Sequence, residues 1–444
     1  MAKVQNRYVC QTCGATYARW MGKCEQCSSW NSLIEEVVAA PVGKARASKP
    51  LAVTNIDAVE TAHLPRMKTG TDEVDQVLGG GIVPGSVMLL SGDPGIGKST
   101  LVLQLATNLA AAKRVLYVSG EESAAQIKLR ADRLGQASKS LELLIETDID
   151  AIVPTIEQGS YDLVIIDSIQ TMTMSALAGS PGTVGQITSC AQALQIVAKR
   201  SNTATLIIGH VTKEGNIAGP KLLEHLVDVV LYLEGERYGV FKSLRGIKNR
   251  FGSTSEVGIF EMSESGLTAV ANPSESLLAE RQPGPGSVIL AAIEGTRPLL
   301  VEVQALVSPT SFGYPKRTAV GFDINRLNLL VAVLTKRARM NLSSSDIYVN
   351  VVGGLRVSEP AADLAIILSI ASAYKDIEIP SSLVAFGEVG LSGEIRSVSQ
   401  TARRVTEAKR LGYSLAIGPA HNAPTGMKTV RTISDAVAML ATSH

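Results

Sequence analysis

Aromatic residues are scarce. Phe, Tyr and Trp make up 4% of the 444 residues, and only two are tryptophan, so base-stacking platforms are few. An excess of either charge is missing too: Lys and Arg number 42 against 41 Asp and Glu, a net charge of +1. No global basic field exists, and any nucleic-acid contact must come from local patches. Long apolar runs are absent. The longest uncharged stretch, 168–198, is full of Ser, Thr, Gln, Gly and Pro, whereas a membrane span needs about 20 mostly apolar residues. The N-terminus lacks a basic-then-apolar leader pattern. The expected compartment is the cytoplasm, with no membrane partner. Cysteine is rare, five in all, yet four fall within residues 10–27. In a reducing compartment that clustering favours a metal over disulfides.

What is present is a globular composition, 45% hydrophobic and 19% charged, which excludes a disordered chain. At roughly 100–200 residues per domain, the length predicts two to four domains. Residues 1–36 are short and cysteine-rich. Residues 37–50 are rich in Ala, Pro and Lys, have no periodic apolar face and read as a linker. From 51 to 274, apolar runs alternate with helical patterns. VMLLSG (87–92) predicts a strand followed by a helix over 98–112, and RVLYVSG (114–120) a strand followed by a helix over 123–135. LELLIE (141–146), DLVIID (162–167), TATLIIG (203–209) and DVVLYLEG (228–235) continue the series. Continuous Val/Ile/Leu runs between helices signal an α/β core, a parallel sheet covered on both faces. Pro and Gly mark a break at 272–286. Residues 287–444 interleave strand-like pieces with helices near 326–340, 361–374 and 399–411, an α+β or α/β block.

Cys10-x2-Cys13 and Cys24-x2-Cys27 form two knuckles ten residues apart. Four thiolates suit tetrahedral Zn²⁺. Thirty-odd residues bury too little to fold alone, so the metal substitutes for a core. Four cysteine ligands leave no open position, which makes the site structural. Arg19, Trp20, Lys23 and Trp30 lie nearby. They are placed to touch DNA or a partner, while the two indoles serve equally well as a small core. Cys190, alone on a helical segment, reads as a small buried hydrophobe.

Gly92-Asp93-Pro94-Gly95-Ile96-Gly97-Lys98-Ser99 fits G-x4-G-K-[ST] between an apolar strand and a helix that continues with Thr100. The glycines let the backbone wrap a phosphate, and the helix N-terminus adds partial positive charge. Lys98 would reach the β- and γ-phosphates of ATP, and Ser99 would hold Mg²⁺. Asp167 ends the run Leu163–Asp167, where a carboxylate that organises Mg²⁺ belongs. Glu121 and Glu122 follow another strand, so either can face the ligand crevice and orient the attacking water, the alternative for one of the pair being to cap the next helix. His210 ends a third strand and reads as a γ-phosphate sensor or a local hydrogen-bonding residue. Lys242, Arg245, Lys248 and Arg250 read, by composition, as a solvated basic strand face.

The zinc knuckles, GDPGIGKS, VSGEES, VIIDSIQT, GHVTKEGNIAGPKLLEHLVD and Lys248-Asn-Arg-Phe-Gly252 together resemble the bacterial RadA (Sms) DNA-repair ATPases. The resemblance covers essentially the whole chain. It implies a four-cysteine zinc finger or ribbon (1–36), a linker (37–58), a RecA-like P-loop ATPase core (59–274) and a Lon-protease-like (ribosomal-protein-like) α+β domain (282–444). It also implies similarity to DnaB-type hexameric helicases and a DNA-dependent ATPase of homologous recombination. Such an enzyme would process branched intermediates, promote branch migration by translocating on single-stranded DNA as a homo-hexamer, and work with a RecA-type recombinase. The other reading is an ATP-gated DNA-binding loader of a recombinase without motor activity. The resemblance points to Glu121 as the catalytic glutamate and His210 as the sensor. It assigns Lys248 and Arg250 as fingers that enter a neighbouring subunit's nucleotide site. Loops 171–186 and 211–222 would line the channel, with Lys213 and Lys221 as charge partners.

The last block resembles the Lon proteolytic domain, but Ala361 stands at the serine position and Ala402 at the lysine position. Alanine supplies neither hydroxyl nor amine, so proteolysis is not expected. Lys336, Arg337, Arg339, Arg403, Arg404, Lys409 and Arg410 are candidate phosphate contacts or ordinary solvated helix faces.

Overall fold

A computed structural model describes residues 5–10, 15–30, 32–38, 55, 65–135, 140–210, 223–235, 241–310 and 313–441. The chain divides into two compact units, Met1–His63 and Leu64–His444. Cys13, most of the 37–58 segment and the 211–222 loop with Lys213 and Lys221 lie outside the described residues.

The small unit is an antiparallel sheet of β1 (Gln5–Cys10), β2 (Thr16–Tyr17) and β3 (Leu33–Val38), with β1 central. Its interior is Cys10, Cys24 and Leu33, with Tyr8, Ala15, Tyr17, Met21 and Cys27 packed around them. Trp20 and Trp30 stand outside that core, so the small-core reading of the indoles does not hold.

The large unit opens with α1 (Asp72–Val77), β4 (Val87–Gly92), α2 (Lys98–Ala110), β5 (Val115–Ser119), α3 (Ala124–Arg133), β6 (Leu141–Ile145), α4 (Ile149–Gly159), β7 (Leu163–Asp167), α5 (Val184–Ser201), β8 (Ala204–Ile208) and β9 (Val229–Glu234). The six strands are parallel, in the order β9-β4-β8-β7-β5-β6. Alternate residues of one strand face opposite sides, and both sides are apolar. Met88, Leu90, Tyr117 and Ile165 pack on the α1–α3 side, and Leu89, Val118, Val164 and Ile166 on the α4–α5 side. A strand buried on both faces must be apolar throughout, which is what made these runs readable. β6 departs from that pattern. It is the edge strand, and Leu143 and Ile145 remain exposed.

The sheet then continues antiparallel through β10 (Phe241–Asn249), β11 (Val257–Ser263) and β12 (Gly266–Ala269). The expected break at 272–286 contains a short helix, α6 (Pro273–Leu278), with proline at its first position, where a missing N–H costs nothing. Beyond it come β13 (Ser287–Glu294), β14 (Arg297–Pro309), β15 (Arg317–Val320), α7 (Ile324–Arg337), β16 (Ser345–Val351), α8 (Asp363–Lys375), β17 (Leu383–Ala385), β18 (Glu388–Val389), β19 (Ile395–Arg396), α9 (Thr401–Arg410), β20 (Leu415–Pro419), β21 (Met427–Val430) and α10 (Ile433–Ala441). Seven of these strands form a mixed sheet, β15-β16-β14-β13-β17-β20-β21. Its core continues into Phe241, Val257 and Ile259 of the first sheet. Arg297 donates to both oxygens of buried Glu73 at 2.9 Å, and Glu73 also accepts from the Ile259 N–H. The two lobes therefore share apolar and ionic contacts.

Candidate nucleotide site and metal centre

The loop between β4 and α2 is shaped by glycines that tolerate no side chain. Gly92 has φ +150, and a Cβ there would meet the Leu233 carbonyl at 2.2 Å; Gly97, at φ +112, would meet the Met262 methyl at 2.7 Å. The turn delivers Lys98 to the first position of α2, almost wholly buried. Its ammonium donates to the Gly92 and Asp93 carbonyls at 2.8 and 3.0 Å. Desolvation lowers its pKa, opposed by the carboxylates of Asp93, Asp167 and Glu121. A triphosphate in the loop would offer this cation stronger, charged acceptors.

Gly95, Gly97, Lys98, Ser99, Thr100, Glu121, Asp167 and His210 line one cavity of about 290 Å³, with Glu122 and Arg130 at its wall. Parallel strands converge their C-terminal ends there: Asp167 ends β7, Glu121 follows β5 and His210 follows β8. Buried Tyr117 donates to Asp167 Oδ2 at 2.5 Å. Burial and the adjacent Asp167 charge raise the Tyr117 pKa well above its ordinary value, so the phenol stays a donor. Ser168 donates to Glu121 Oε1 at 2.5 Å, and His210 Nε2 is 3.7 Å from the same oxygen. Glu122 is engaged elsewhere. Its carboxylate pairs with Arg130 of α3, and its N–H donates to Ser119 Oγ. The geometry thus separates two glutamates that composition left equivalent. Desolvation and nearby Lys98 lower the His210 pKa, opposed by Glu121 and Asp167, which keeps the imidazole neutral near pH 7. Tyr117 and Ser168 escaped the sequence reading. Tyr117 looks like core inside an apolar run, and only the β5–β7 register brings it to Asp167.

A larger cavity, about 680 Å³, lies between the lobes beside Asp93 and carries Glu234, Arg245, Glu294 and Arg356. It lacks the phosphate loop's converging N–H groups, so the smaller cavity is the nucleotide candidate.

Lys248 and Arg250 stand apart from their own cavity. Lys248 Nζ donates to the Glu224 and Val227 carbonyls at 2.6 and 2.9 Å. Arg250 Nη1 donates to Asp228 Oδ1 at 3.2 Å, and Asp228 Oδ2 accepts from the Val87 N–H and from Lys199. Val87 begins β4, whereas the phosphate loop begins at its other end, Gly92. Five strand residues span about 16 Å. Lys242 is buried, and Arg245 is held between Glu234 and Glu294. The solvated-face reading therefore fails for Lys242, Arg245 and Lys248, while Arg250 remains exposed beside Asp228.

The channel candidate 171–186 is folded around one side chain. Gln186 accepts from the Met174 N–H and donates to the Met174, Leu177 and Gly179 carbonyls.

In the small unit the Cys10, Cys24 and Cys27 sulfurs lie within 4.8 Å of one another, with Cys10 and Cys27 at 3.6 Å. Zn–S bonds of about 2.3 Å in a tetrahedron put sulfurs about 3.8 Å apart, so the three fit one zinc ion. Ser99 and Asp167 offer hydroxyl and carboxylate oxygens, which suit a hard cation such as Mg²⁺.

In the C-terminal lobe Ala361 is buried and Ala402 exposed on α9. Arg404 is fully buried. It donates to Ala291 O, Ser399 O and both oxygens of Glu359. It is neither a phosphate contact nor part of a solvated face. Lys336, Arg337, Arg339, Arg403, Lys409 and Arg410 are exposed.

Fold and site together define an ATP-hydrolysing P-loop enzyme with a RecA-like α/β core. The family models agree by region: an AAA domain over 54–216, a rubredoxin metal binding domain over 8–35, and the subunit ChlI of Mg-chelatase, a Lon-like domain, over 316–422. The AAA domain implies ATP and Mg²⁺, and the ribbon Zn²⁺. DNA repair protein RadA of Halalkalibacterium halodurans is 52% identical over 432 residues, covering 95% of this chain and 94% of its own. The same-named proteins of Bacillus subtilis and Listeria monocytogenes are 51% and 48% identical, covering 95% of this chain and 94% and 93% of theirs. The chain belongs to the RadA family of DNA repair proteins. Among solved structures, the RadB recombinase is 22% identical with a TM-score of 0.37, covering 46% of this chain and 99% of its own. A KaiC-like protein from Pyrococcus horikoshii OT3 is 18% identical with a TM-score of 0.40, covering 47% and 99%. No helix among the described residues is long and apolar enough to cross a membrane.

Proposed function

We propose that this protein is a DNA-dependent ATPase of homologous recombination. In this reading it assembles head to tail into a hexameric ring around single-stranded DNA and drives branch migration alongside a RecA-type recombinase. The observation that carries the reading is the separation of Lys248 and Arg250 from their own phosphate loop by the length of β4. A cation there serves a nucleotide only in a neighbouring subunit, and a repeated heterologous contact of that kind closes into a ring.

The chemistry follows from the side chains present. The loop N–H groups and Lys98 bind the triphosphate, with Gly95, Gly97, Ser99 and Thr100 lining its cavity. Ser99 and Asp167 would hold Mg²⁺, which would supply positive charge against the phosphates. Ser168 fixes the Glu121 carboxylate so that it orients the attacking water and takes its proton. Neutral His210, beside Glu121, senses the γ-phosphate. Lys248 and Arg250 of the adjacent subunit then stabilise transition-state charge, an effect of roughly 10³–10⁵ in rate for an arginine finger.

The 223–228 turn that holds Lys248 and Arg250 directly follows the 211–222 segment, which the reading assigns to the channel. Strand contact and finger position are thereby linked through one short turn. A branch-migration assay tests the motor. The parent protein should move strands with ATP, and Lys98→Ala and Lys248→Ala should not. DNA binding without strand movement in the parent would leave only a loading role.

A further inference from the structure

Both tryptophans of the chain lie outside the core of the small unit. Trp20 is 55% exposed and Trp30 73%. An indole offers about 150–250 Å² of surface to bury, and a unit with so small an interior gains most from burying it. Cys10, Cys24 and Leu33 fill that interior instead. The indoles also share one face. A backbone bridge joins Lys23 to Trp30, and atoms of the two rings lie 3.8 and 3.7 Å from where a side chain on Gly22 would begin. The Lys23 ammonium is 5.8 Å from the Trp30 ring centre. Over 18–30 the exposed charges are Arg19 and Lys23 against Glu25.

We propose that this face binds single-stranded DNA, with bases stacking on Trp20 and Trp30 and backbone phosphates meeting Arg19 and Lys23. Flat π-faces interleaved with cations match a strand's alternation of bases and phosphates, and the two rings meet over Gly22. The inference rests on the proposed DNA reading and adds a strand contact on the small unit.

The test uses the full zinc-loaded protein. Its only tryptophans are these two, so indole emission reports this face alone. Oligodeoxythymidine is titrated while a labelled copy reports total binding by anisotropy. Emission should be quenched in step with the anisotropy curve and recover with added salt. The Trp20→Ala/Trp30→Ala double variant should bind roughly tenfold more weakly, with zinc content unchanged. Trp30→Phe, which still stacks, should bind nearly as the parent does. Saturating anisotropy with unchanged emission would overturn this inference and leave the proposed function standing. Absence of any DNA binding would overturn both.

Discussion

Glu121 and Glu122 are adjacent, yet their surroundings assign them different tasks. Ser168 and His210 address Glu121, while Arg130 holds Glu122. Glu121→Gln should lose about 10²-fold or more in turnover with ATP affinity retained. Glu122→Gln should lose far less, as steady-state ATPase rates and nucleotide titration will show. Tyr117 acts through Asp167, so Tyr117→Phe should raise the Mg²⁺ concentration needed for half-maximal turnover while kcat at saturating Mg²⁺ stays close to the parent's. An unchanged Mg²⁺ curve would mean that the bond is only structural. Arg404 belongs to the core. Arg404→Ala leaves the Glu359 carboxylate without its ion-pair partner, with only the Ile293 N–H still donating to it, and should cost about 3–5 kcal/mol, read from the denaturant midpoint, whereas exposed Arg403→Ala should barely shift it. The sequence carried a signal for this burial. Thr401, Arg404, Val405 and Ala408 fall at helical spacing on one face of α9, so Arg404 sits on the apolar stripe.

At the scale of elements, the parallel strands and the phosphate loop were legible because each is a local pattern, an apolar run or a fixed glycine spacing. The place of Asp167 at the cavity was legible because the carboxylate ends an apolar run. The antiparallel β10–β12 extension was hidden by half-buried, basic sequence such as KSLRGIKN, which composition assigns to a solvated face. Only the β9–β10 pairing shows where its cations go. Register likewise decides which residues meet across 50 positions, as Tyr117 and Asp167 do, and no local pattern encodes it. The 171–186 loop is largely exposed, and Gln186 ties three of its carbonyls. Gln186→Ala should leave basal ATPase intact and diminish its stimulation by single-stranded DNA. Equal stimulation would remove this loop from the strand path.

The whole molecule divides its labour. The C-terminal lobe keeps a Lon-like fold, in which Ala361 is buried and Ala402 exposed. Its core is continuous with β10 and β11, and β10 carries Lys248. Whatever shifts this lobe therefore bears on the strand that carries Lys248. Above all, the account requires each nucleotide site to be finished by another copy of the chain. Mixing two inactive variants tests this most directly: Lys98→Ala, with a dead pocket and sound fingers, and Lys248→Ala/Arg250→Ala, with the reverse. Each alone should lack ATP turnover, and the mixture should regain it, because a sound pocket then meets sound fingers at some contacts. A mixture as inactive as its components, under conditions where they co-assemble, would contradict the account.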